Sequence, residues 1–330
     1  MTLKICIVGA GAIGGWLGVR LGLAGHAVSV LARGATLAAI RAQGLRLQAN
    51  GQTHALTVQA SDRAEELGVQ DLVIIAVKAP SLLGVARQVK PLLGPDTLVL
   101  SAMNGVPWWF FQGFGGPYQG TVLEAVDPGG EIARLIPARQ VLGGVVHASC
   151  TSPEPGLVVH GFGQGLIVGE PSGIDANGES VRAQTLALTL RDVGFDASVS
   201  HQIQRDVWFK LWGNMTMNPV GALTGANIAQ ILADPLVRAF CSAVMLEARE
   251  IGARIGIPID QNPADRHAVT LKLGAFKTSM LQDVENDKPI ELDALVGAVR
   301  ELGQLTGVPT PQTDALLGLT RLMAQVRGLY

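Results

Sequence analysis

The hydrophobic residues of the chain follow two patterns, which change near residue 200. Before it, short apolar runs alternate with stretches of helical periodicity. The runs that predict strands are 5–8, 27–31, 45–48, 55–58, 72–77 and 98–101, then runs around 145–146, 158–159 and 166–168, and 197–200 after a helix at 178–193. Beyond residue 202 the pattern predicts helices almost throughout, notably 236–255, 292–305 and 315–326.

A glycine-rich turn follows the first predicted strand. Gly9-Ala10-Gly11-Ala12-Ile13-Gly14 comes directly after residues 5–8 and opens a segment with helical periodicity, 13–24. In a strand–turn–helix setting, such a turn directs backbone N–H groups and a helix N-terminus at a pyrophosphate. We therefore expect these six residues to bind a dinucleotide. The alternative is a glycine-rich turn without a ligand.

These patterns predict an α/β Rossmann-type dinucleotide-binding domain followed by an all-α C-terminal domain. We expect the first domain to span residues 1–200 and the second 201–330, with the cleft between them. The apolar run 72–77 is typical of a central parallel strand that is buried on both faces. Asn50-Gly51 between two alternating runs predicts a hairpin. The runs between 141 and 169 predict antiparallel members of the sheet.

The end of the second predicted strand discriminates between NAD(H) and NADP(H). NAD enzymes usually carry a carboxylate there, which binds the ribose hydroxyls. This strand instead ends Leu31-Ala32-Arg33-Gly34. The guanidinium of Arg33 suits a 2′-phosphate, so we expect NADP(H) as the cofactor. The alternative is a surface arginine in a loop.

Composition excludes several classes of protein. The 330 residues are enough for two domains, and 48% hydrophobic residues indicate a large core. A formal charge of −2 without a basic cluster argues against nucleic-acid binding. The three cysteines form no C-x-x-C pair and the histidines have no metal-ligand spacing, so no metal is expected. Arg20 and His26 interrupt the apolar N-terminal segment, so we expect a cytoplasmic protein without membrane association.

A polar stripe lies on the apolar helix predicted around 205–219. Lys210, Asn214 and Asn218 are each four residues apart and so share one helix face, and Pro219 predicts a kink where the stripe ends. A helix with so many apolar residues should be largely buried. Partial desolvation would then lower the pKa of the lysine and make it a better general acid. The alternatives are asparagines that brace the backbone and a lysine that extends to solvent.

Ser279 and Glu291 stand at predicted helix starts. Ser279 with Gln282 fits a capping box, and Glu291 fits the acidic first turn of a helix. Taken alone, both residues are better explained as structural than as chemical.

Together these residues resemble the ketopantoate reductase family (2-dehydropantoate 2-reductases) over nearly the whole chain. The motifs that carry the resemblance are Gly9–Gly14, Val77-Lys78, Met103-Asn104-Gly105, Lys210-Leu211 with Asn214, Asn218-Pro219, Ser279-Met280-Leu281-Gln282-Asp283 and Glu291-Leu292-Asp293. Members of that family reduce the ketone of 2-dehydropantoate with NADPH, which gives pantoate for coenzyme A synthesis. The resemblance therefore implies an oxidoreductase that acts on a small 2-oxo acid.

The resemblance also implies a role for each site residue. Lys210 and Glu291 would be catalytic, with Glu291 near the lysine, the substrate hydroxyl and the cofactor. The substrate-binding residues would be Lys210, Asn214, Asn218 and Ser279, with Ser279 at the carboxylate end. The residues on the nicotinamide side would be Lys78, Asn104, Ala148 and Glu291. On this interpretation Ser279 and Glu291 are helix caps and site residues at once.

The chain departs from the family pattern after Asn104-Gly105, where Val106-Pro107 precedes the aromatic stretch Trp108–Phe114. Its aromatic residues predict either interdomain packing or a dimer contact, or else a remodelled pocket or lid for a bulkier 2-oxo acid. The sequence leaves open the exact 2-oxo acid and the oligomeric state, with a homodimer as one option. The rival functions are a related reductase of another branched or aromatic 2-oxo acid and a non-catalytic NADP(H) sensor.

Overall fold

The computed structural model describes residues 2–173, 180–272 and 274–330. By its contacts the chain divides into two compact units. Unit 1 comprises residues 1–103, 109–120 and 131–203, and unit 2 comprises residues 104–108, 121–130 and 204–330. The domain boundary expected at residue 200 stays a prediction, since this division also assigns two earlier segments to unit 2.

Unit 1 is an α/β structure. Its strands and helices are, in chain order, β1 Lys4–Val8, α1 Ala12–Leu23, β2 Ala27–Leu31, α2 Gly34–Gln43, β3 Leu45–Ala49, β4 Gln52–Leu56, β5 Gln59–Ser61, β6 Leu72–Ile75, α3 Leu82–Gln88, β7 Leu98–Ser101, α4 Glu131–Leu135, β8 Val141–Glu154, β9 Leu157–Gly169, α5 Val181–Asp192 and β10 Asp196–Val199. The helix predicted at 178–193 is therefore found from Val181 onward, and its first two predicted positions, 178–179, lie outside the described residues.

The described strands form one sheet with the order β4-β3-β9-β8-β7-β6-β1-β2-β5, and β10 pairs with β9. Parallel pairing joins β2, β1, β6, β7 and β8 in turn. All four residues of β6 are buried, as its unbroken apolar run predicts for a central parallel strand. The Rossmann-type fold class is confirmed, and the carboxyl ends of these parallel strands share one edge of the sheet.

Two hairpins extend the sheet beyond its parallel part. Asn50 and Gly51 both have positive φ, 51° and 75°, which suits the two-residue turn between β3 and β4. The Asn-Gly prediction is confirmed, although β4 ends at Leu56 and not at residue 58. The three β-like runs between 141 and 169 lie on only two long strands, β8 and β9, which pair antiparallel as expected.

The aromatic stretch packs in the protein interior. Trp108, Trp109, Phe110 and Phe111 are all buried. Within unit 1 the rings of Phe110, Phe111, Phe114 and Tyr118 form a cluster. The ring of Trp109 packs against Gly143, where an ideal Cβ would lie 2.4 Å from Cη2 of the tryptophan. Buried rings offer no surface to a second subunit, so the structure assigns Trp108–Phe111 to core packing.

Unit 2 is helical. Its elements are α6 Ile203–Thr224, α7 Ile228–Ala233, α8 Pro235–Arg254, α9 Pro263–Leu271, α10 Ser279–Glu285, a π-helical turn Asp293–Gly297 that continues into α11 Ala298–Thr306, and α12 Pro311–Val326. The helices predicted at 236–255, 292–305 and 315–326 are confirmed, with ends that differ by up to four residues. Pro235, Pro263 and Pro311 each open a helix, as expected of prolines at a first turn.

Helix α6 carries the polar stripe and packs through its opposite side. The indole Nε1 of Trp212 donates a hydrogen bond of 2.7 Å to the carbonyl of Met245 on α8. Trp208 lies against Gly252 of the same helix, where an ideal Cβ would be 2.5 Å from the indole Nε1. The helix continues through Pro219 to Thr224, and the kink expected where the stripe ends stays a prediction. Burial on the apolar side outweighs the local cost of an internal proline.

Two kinds of feature are missing among the described residues. None of their helices is both long and apolar enough to cross a membrane. Within the same part of the chain, no group of three or more His, Cys, Asp or Glu side chains is arranged to hold a metal ion.

Candidate functional site

The glycine turn joins β1 to α1 at the carboxyl edge of the sheet. Gly9 has a φ of 91°, and an ideal Cβ on Gly14 would lie only 2.1 Å from the carbonyl oxygen of Gly9, so strand and helix pack closely there. Gly11 is different, because an ideal Cβ on it meets no atom within 4 Å. It occupies the N-cap position of α1 without any side-chain cap. The first turn of α1 therefore opens onto free space, where a phosphate group can approach the backbone N–H groups.

Arg33 lies two residues beyond the end of β2 and is the N-cap residue of α2. Its side chain is exposed, and among the described residues the structure records no ion pair for it. Such a guanidinium is available to an anion from solution.

Two further predicted residues lie near the same edge of unit 1. Lys78 follows the last residue of β6 by three positions and is half-buried. Ala148 lies on β8 where the pairing with β9 shifts register between His147 and Ser149. Such a bulge reorients the side chains around it. Unit 1 therefore brings the glycine turn, Lys78 and Ala148 to the side of the sheet where ligands of this fold bind.

Lys210 is the centre of the predicted site in unit 2. Its Nζ donates a hydrogen bond of 2.8 Å to Oδ1 of Asn104, and part of its side chain stays accessible. Burial lowers the pKa of this ammonium from 10.5 to about 8, while the charge of the Glu291 carboxylate opposes the shift. Glu291 is itself only 8% exposed. A lysine with this pKa can both hold and release a proton near neutral pH.

The π-helical turn positions Asn104. In this turn the N–H of Ala298 donates to the carbonyl of Asp293, five residues earlier, and the carbonyl of Ala294 accepts a hydrogen bond of 2.8 Å from the N–H of Val106. Gly105 has a φ of 83° and lies so close that an ideal Cβ would be 2.5 Å from the Ala294 oxygen. Because Glu291 lies two residues before the same turn, one irregular helix start positions both Asn104 and Glu291 around Lys210.

Three further predicted site residues, Asn214, Asn218 and Ser279, carry polar side chains. Asn218 is buried, Asn214 is half-buried and Ser279 is exposed. For these three side chains the structure records no hydrogen bond to another described residue. Their amide and hydroxyl groups are therefore available to a ligand.

The predicted capping box at Ser279 is wrong. The N-cap of α10 is Thr278, whose side chain accepts a hydrogen bond of 3.3 Å from the N–H of Leu281. Gln282 instead donates to the carbonyl of Lys277. Thr278 and Ser279 could each cap the helix, and Thr278 does so because its backbone is extended, as an N-cap position requires. Ser279 is thereby released from a capping role, which its sequence context could not indicate.

Sequence reasoning missed three features of this site: the contact between Asn104 and Lys210, the π-helical turn, and Arg266, whose guanidinium lies over the ring of Phe209 on α6. The contact from Asn104 to Lys210 joins residues 106 positions apart. No local pattern encodes such a separation. The only available signal was the glycine at 105, which permits the close approach to Ala294.

Replacing Gly105 tests this positioning. Gly225→Ala provides a matched control, because Gly225 also has positive φ, 73°, but an ideal Cβ there meets no atom within 4 Å. We expect the control to lower the free energy of unfolding by about 1–2 kcal/mol through backbone strain. Gly105→Ala should lower it by about 1–3 kcal/mol more, because its methyl group clashes with the Ala294 carbonyl. Urea denaturation measures both values, and equal destabilisation would contradict the proposed contact.

Two family models match the chain. "Ketopantoate reductase PanE/ApbA" matches residues 5–108, and "Ketopantoate reductase PanE/ApbA C terminal" matches residues 202–324. The first includes the glycine turn, Arg33, Lys78 and Asn104, and the second includes the polar stripe, Ser279 and Glu291.

Individual proteins resemble the chain over its full length. The 2-dehydropantoate 2-reductase of Mesorhizobium japonicum is 46% identical over 329 residues, which cover 99% of this chain and all of the relative. A solved structure of a candidate ketopantoate reductase from Ralstonia solanacearum MolK2 is 59% identical with a TM-score of 0.95, and each chain is covered completely. A D-mandelate dehydrogenase solved with NADH and anilino(oxo)acetate has a TM-score of 0.84 at 23% identity, with 99% of this chain and 100% of that chain covered, which shows a shared fold. The chain belongs to the ketopantoate reductase family, a family of dinucleotide-dependent oxidoreductases.

Proposed function

We propose that this protein reduces 2-dehydropantoate to (R)-pantoate with NADPH, in pantothenate and coenzyme A biosynthesis. The single observation that carries the proposal is the half-buried Lys210, with a pKa of about 8, between Asn104 and the Glu291 carboxylate. Membership of the ketopantoate reductase family supports the substrate, since the relative from Mesorhizobium japonicum is named 2-dehydropantoate 2-reductase.

Reduction of a ketone requires a hydride at the carbonyl carbon and a proton at the carbonyl oxygen. A bound nicotinamide supplies the hydride. Lys210 donates the proton from Nζ, and its positive charge stabilises the negative charge that develops on the oxygen. Glu291 favours the protonated state of the lysine, so that the acid is charged before the reaction. Asn104 holds the ammonium through its 2.8 Å hydrogen bond.

The cofactor site is assigned to the glycine turn and to residues near it. Gly9-Ala10-Gly11-Ala12-Ile13-Gly14 would bind the pyrophosphate, and the free space at Gly11 supports this fit. Arg33 would bind the 2′-phosphate of NADP(H), which is supported by its exposed guanidinium and by the lack of an ion pair to any described residue. Lys78, Asn104, Ala148 and Glu291 would line the nicotinamide side.

The substrate site is assigned to the polar stripe and α10. Lys210, Asn214, Asn218 and Ser279 would bind the 2-oxo acid, and the absence of recorded intrachain hydrogen bonds from the last three supports their availability. Asn214, Asn218 and Ser279 each offer a neutral donor or acceptor that can bind a hydroxyl, a carbonyl or a carboxylate oxygen.

The remaining expectations stay predictions: a cytoplasmic location, no nucleic-acid or membrane partner, and a homodimer as one option. A ketopantoate reductase from Staphylococcus aureus with the same fold is described as dimeric. For the rival reductase of another branched or aromatic 2-oxo acid, a substrate panel provides the test. The presence of both Lys210 and Glu291 argues against a non-catalytic sensor.

The direct test is the loss of NADPH absorbance when purified protein meets 2-dehydropantoate, against a blank without the keto acid. Lys210→Ala should lower kcat by a factor on the order of 10² or more, because the general acid is lost. Lys90→Ala, an exposed lysine of unit 1, is the control and should keep its kcat. A near-normal kcat for Lys210→Ala would remove this lysine from the mechanism, and a clear preference for another 2-oxo acid would overturn the substrate.

Cofactor choice is tested at Arg33. Arg33→Ala should raise the KM for NADPH by roughly 10- to 100-fold, because charge-assisted hydrogen bonds contribute about 1.5–3 kcal/mol. The KM for NADH should stay within about twofold, because NADH has no 2′-phosphate for the arginine to bind. Arg327→Ala, which removes another exposed arginine, controls for net charge. Equal changes for both cofactors would show that Arg33 does not contact the 2′-phosphate.

A further inference from the structure

Arg266 of α9 lies against α6 beside the polar stripe. Its Cζ is 4.8 Å from the ring centroid of Phe209, a cation–π distance. Gly213 lies one turn further along α6, and an ideal Cβ on it would be 3.1 Å from Nε and 3.3 Å from Nη2 of the arginine. The guanidinium thus lies against both the Phe209 ring and the bare backbone at Gly213, where the lack of a side chain makes room for it.

This guanidinium has no recorded counter-charge. Nε is buried without a hydrogen-bond partner, and among the described residues no carboxylate lies within ion-pair distance of the side chain. Burial lowers its pKa, and no neighbouring anion opposes this. A buried positive charge is unfavourable unless an anion or an acceptor compensates it.

Arg20 provides an internal comparison. It also lies over an aromatic ring, with its Cζ 4.7 Å from the centroid of Phe195. Its guanidinium donates hydrogen bonds of 2.8 Å to Oε1 of Gln164 and to the carbonyl of Val193. The guanidinium of Arg20 therefore has hydrogen-bond acceptors within the fold, whereas that of Arg266 has none recorded among the described residues.

Helix geometry relates Arg266 to the predicted site. Phe209 directly precedes Lys210, and Gly213 directly precedes Asn214. Residues three apart on a helix are neighbours, with about 5–6 Å between their Cβ positions, so Gly213 borders Lys210 on the helix surface. The arginine side chain is half-buried, so part of it is accessible to a ligand.

We propose that Arg266 binds the carboxylate of the 2-oxo acid and so makes the enzyme selective for an anionic substrate over a neutral ketone. This inference rests on the proposed function. A carboxylate would supply the missing counter-charge, and the planar guanidinium can donate two parallel hydrogen bonds to it. The resemblance assigns the carboxylate end to Ser279, a neutral hydroxyl, and Arg266 provides the positive charge that such an interaction lacks.

The test compares 2-dehydropantoate with its methyl ester, which has the same ketone but no negative charge. For Arg266→Met, kcat/KM for the acid should fall by roughly 10- to 100-fold, the value of a charge-assisted interaction. The value for the ester should change by less than about threefold. Arg20→Met is the matched control, because it also removes a stacked arginine, and its ratio of acid to ester should equal that of the wild type.

Arg266→Lys keeps a positive charge that can lie over the Phe209 ring, but it loses the planar guanidinium that donates two parallel hydrogen bonds. This variant therefore tests the proposal even where the methionine variant folds poorly. Its acid-to-ester ratio should lie between those of the wild type and Arg266→Met. A ratio unchanged from the wild type in both variants, or equal losses for acid and ester, would overturn the carboxylate role and leave Arg266 as a packing residue. Failure of the wild type to reduce the acid at all would instead overturn the proposed function, and this inference with it.

Discussion

The buried ammonium of Lys210 is the constraint on which the site depends. Removal of a positive charge from water is unfavourable, and here it lowers the pKa to about 8. Two neighbours keep the charged form available, the Glu291 carboxylate through its charge and Asn104 through a hydrogen bond of 2.8 Å. The balance between these effects gives an acid that is protonated at neutral pH and yet able to release its proton.

The elements around this lysine explain how that balance is maintained. The long helix α6 is fixed on its opposite side by Trp208 and Trp212, which pack against α8. Glu291 lies two residues before the π-helical turn, and the turn accepts a hydrogen bond from the backbone N–H of Val106, which positions Asn104 two residues earlier. Without that irregular turn, the Ala294 carbonyl would be engaged within the helix and not with Val106.

Much of the fold could be predicted because its signals are local. The glycine turn at 9–14, the Asn50-Gly51 hairpin and the apolar run of β6 each encode their structure within a few residues. Membership of the ketopantoate reductase family could be predicted from the order of short motifs. Family matches at residues 5–108 and 202–324 confirm it.

Other features could not be predicted because they depend on residues far apart in the chain. Thr278 and not Ser279 caps α10, a choice that depends on the backbone conformation and not on residue type. The approach of Asn104 to Lys210 and of Arg266 to Phe209 arises only when α6 is assembled with its neighbours.

The most direct test of the account is the pH dependence of kcat/KM for 2-dehydropantoate with saturating NADPH. Because the lysine must be protonated to act as the acid, activity should be constant below its pKa of about 8 and fall above it, about tenfold for each pH unit. A profile that stays flat to about pH 10, near the ordinary pKa of a lysine, would contradict the role of a desolvated Lys210 as the proton donor.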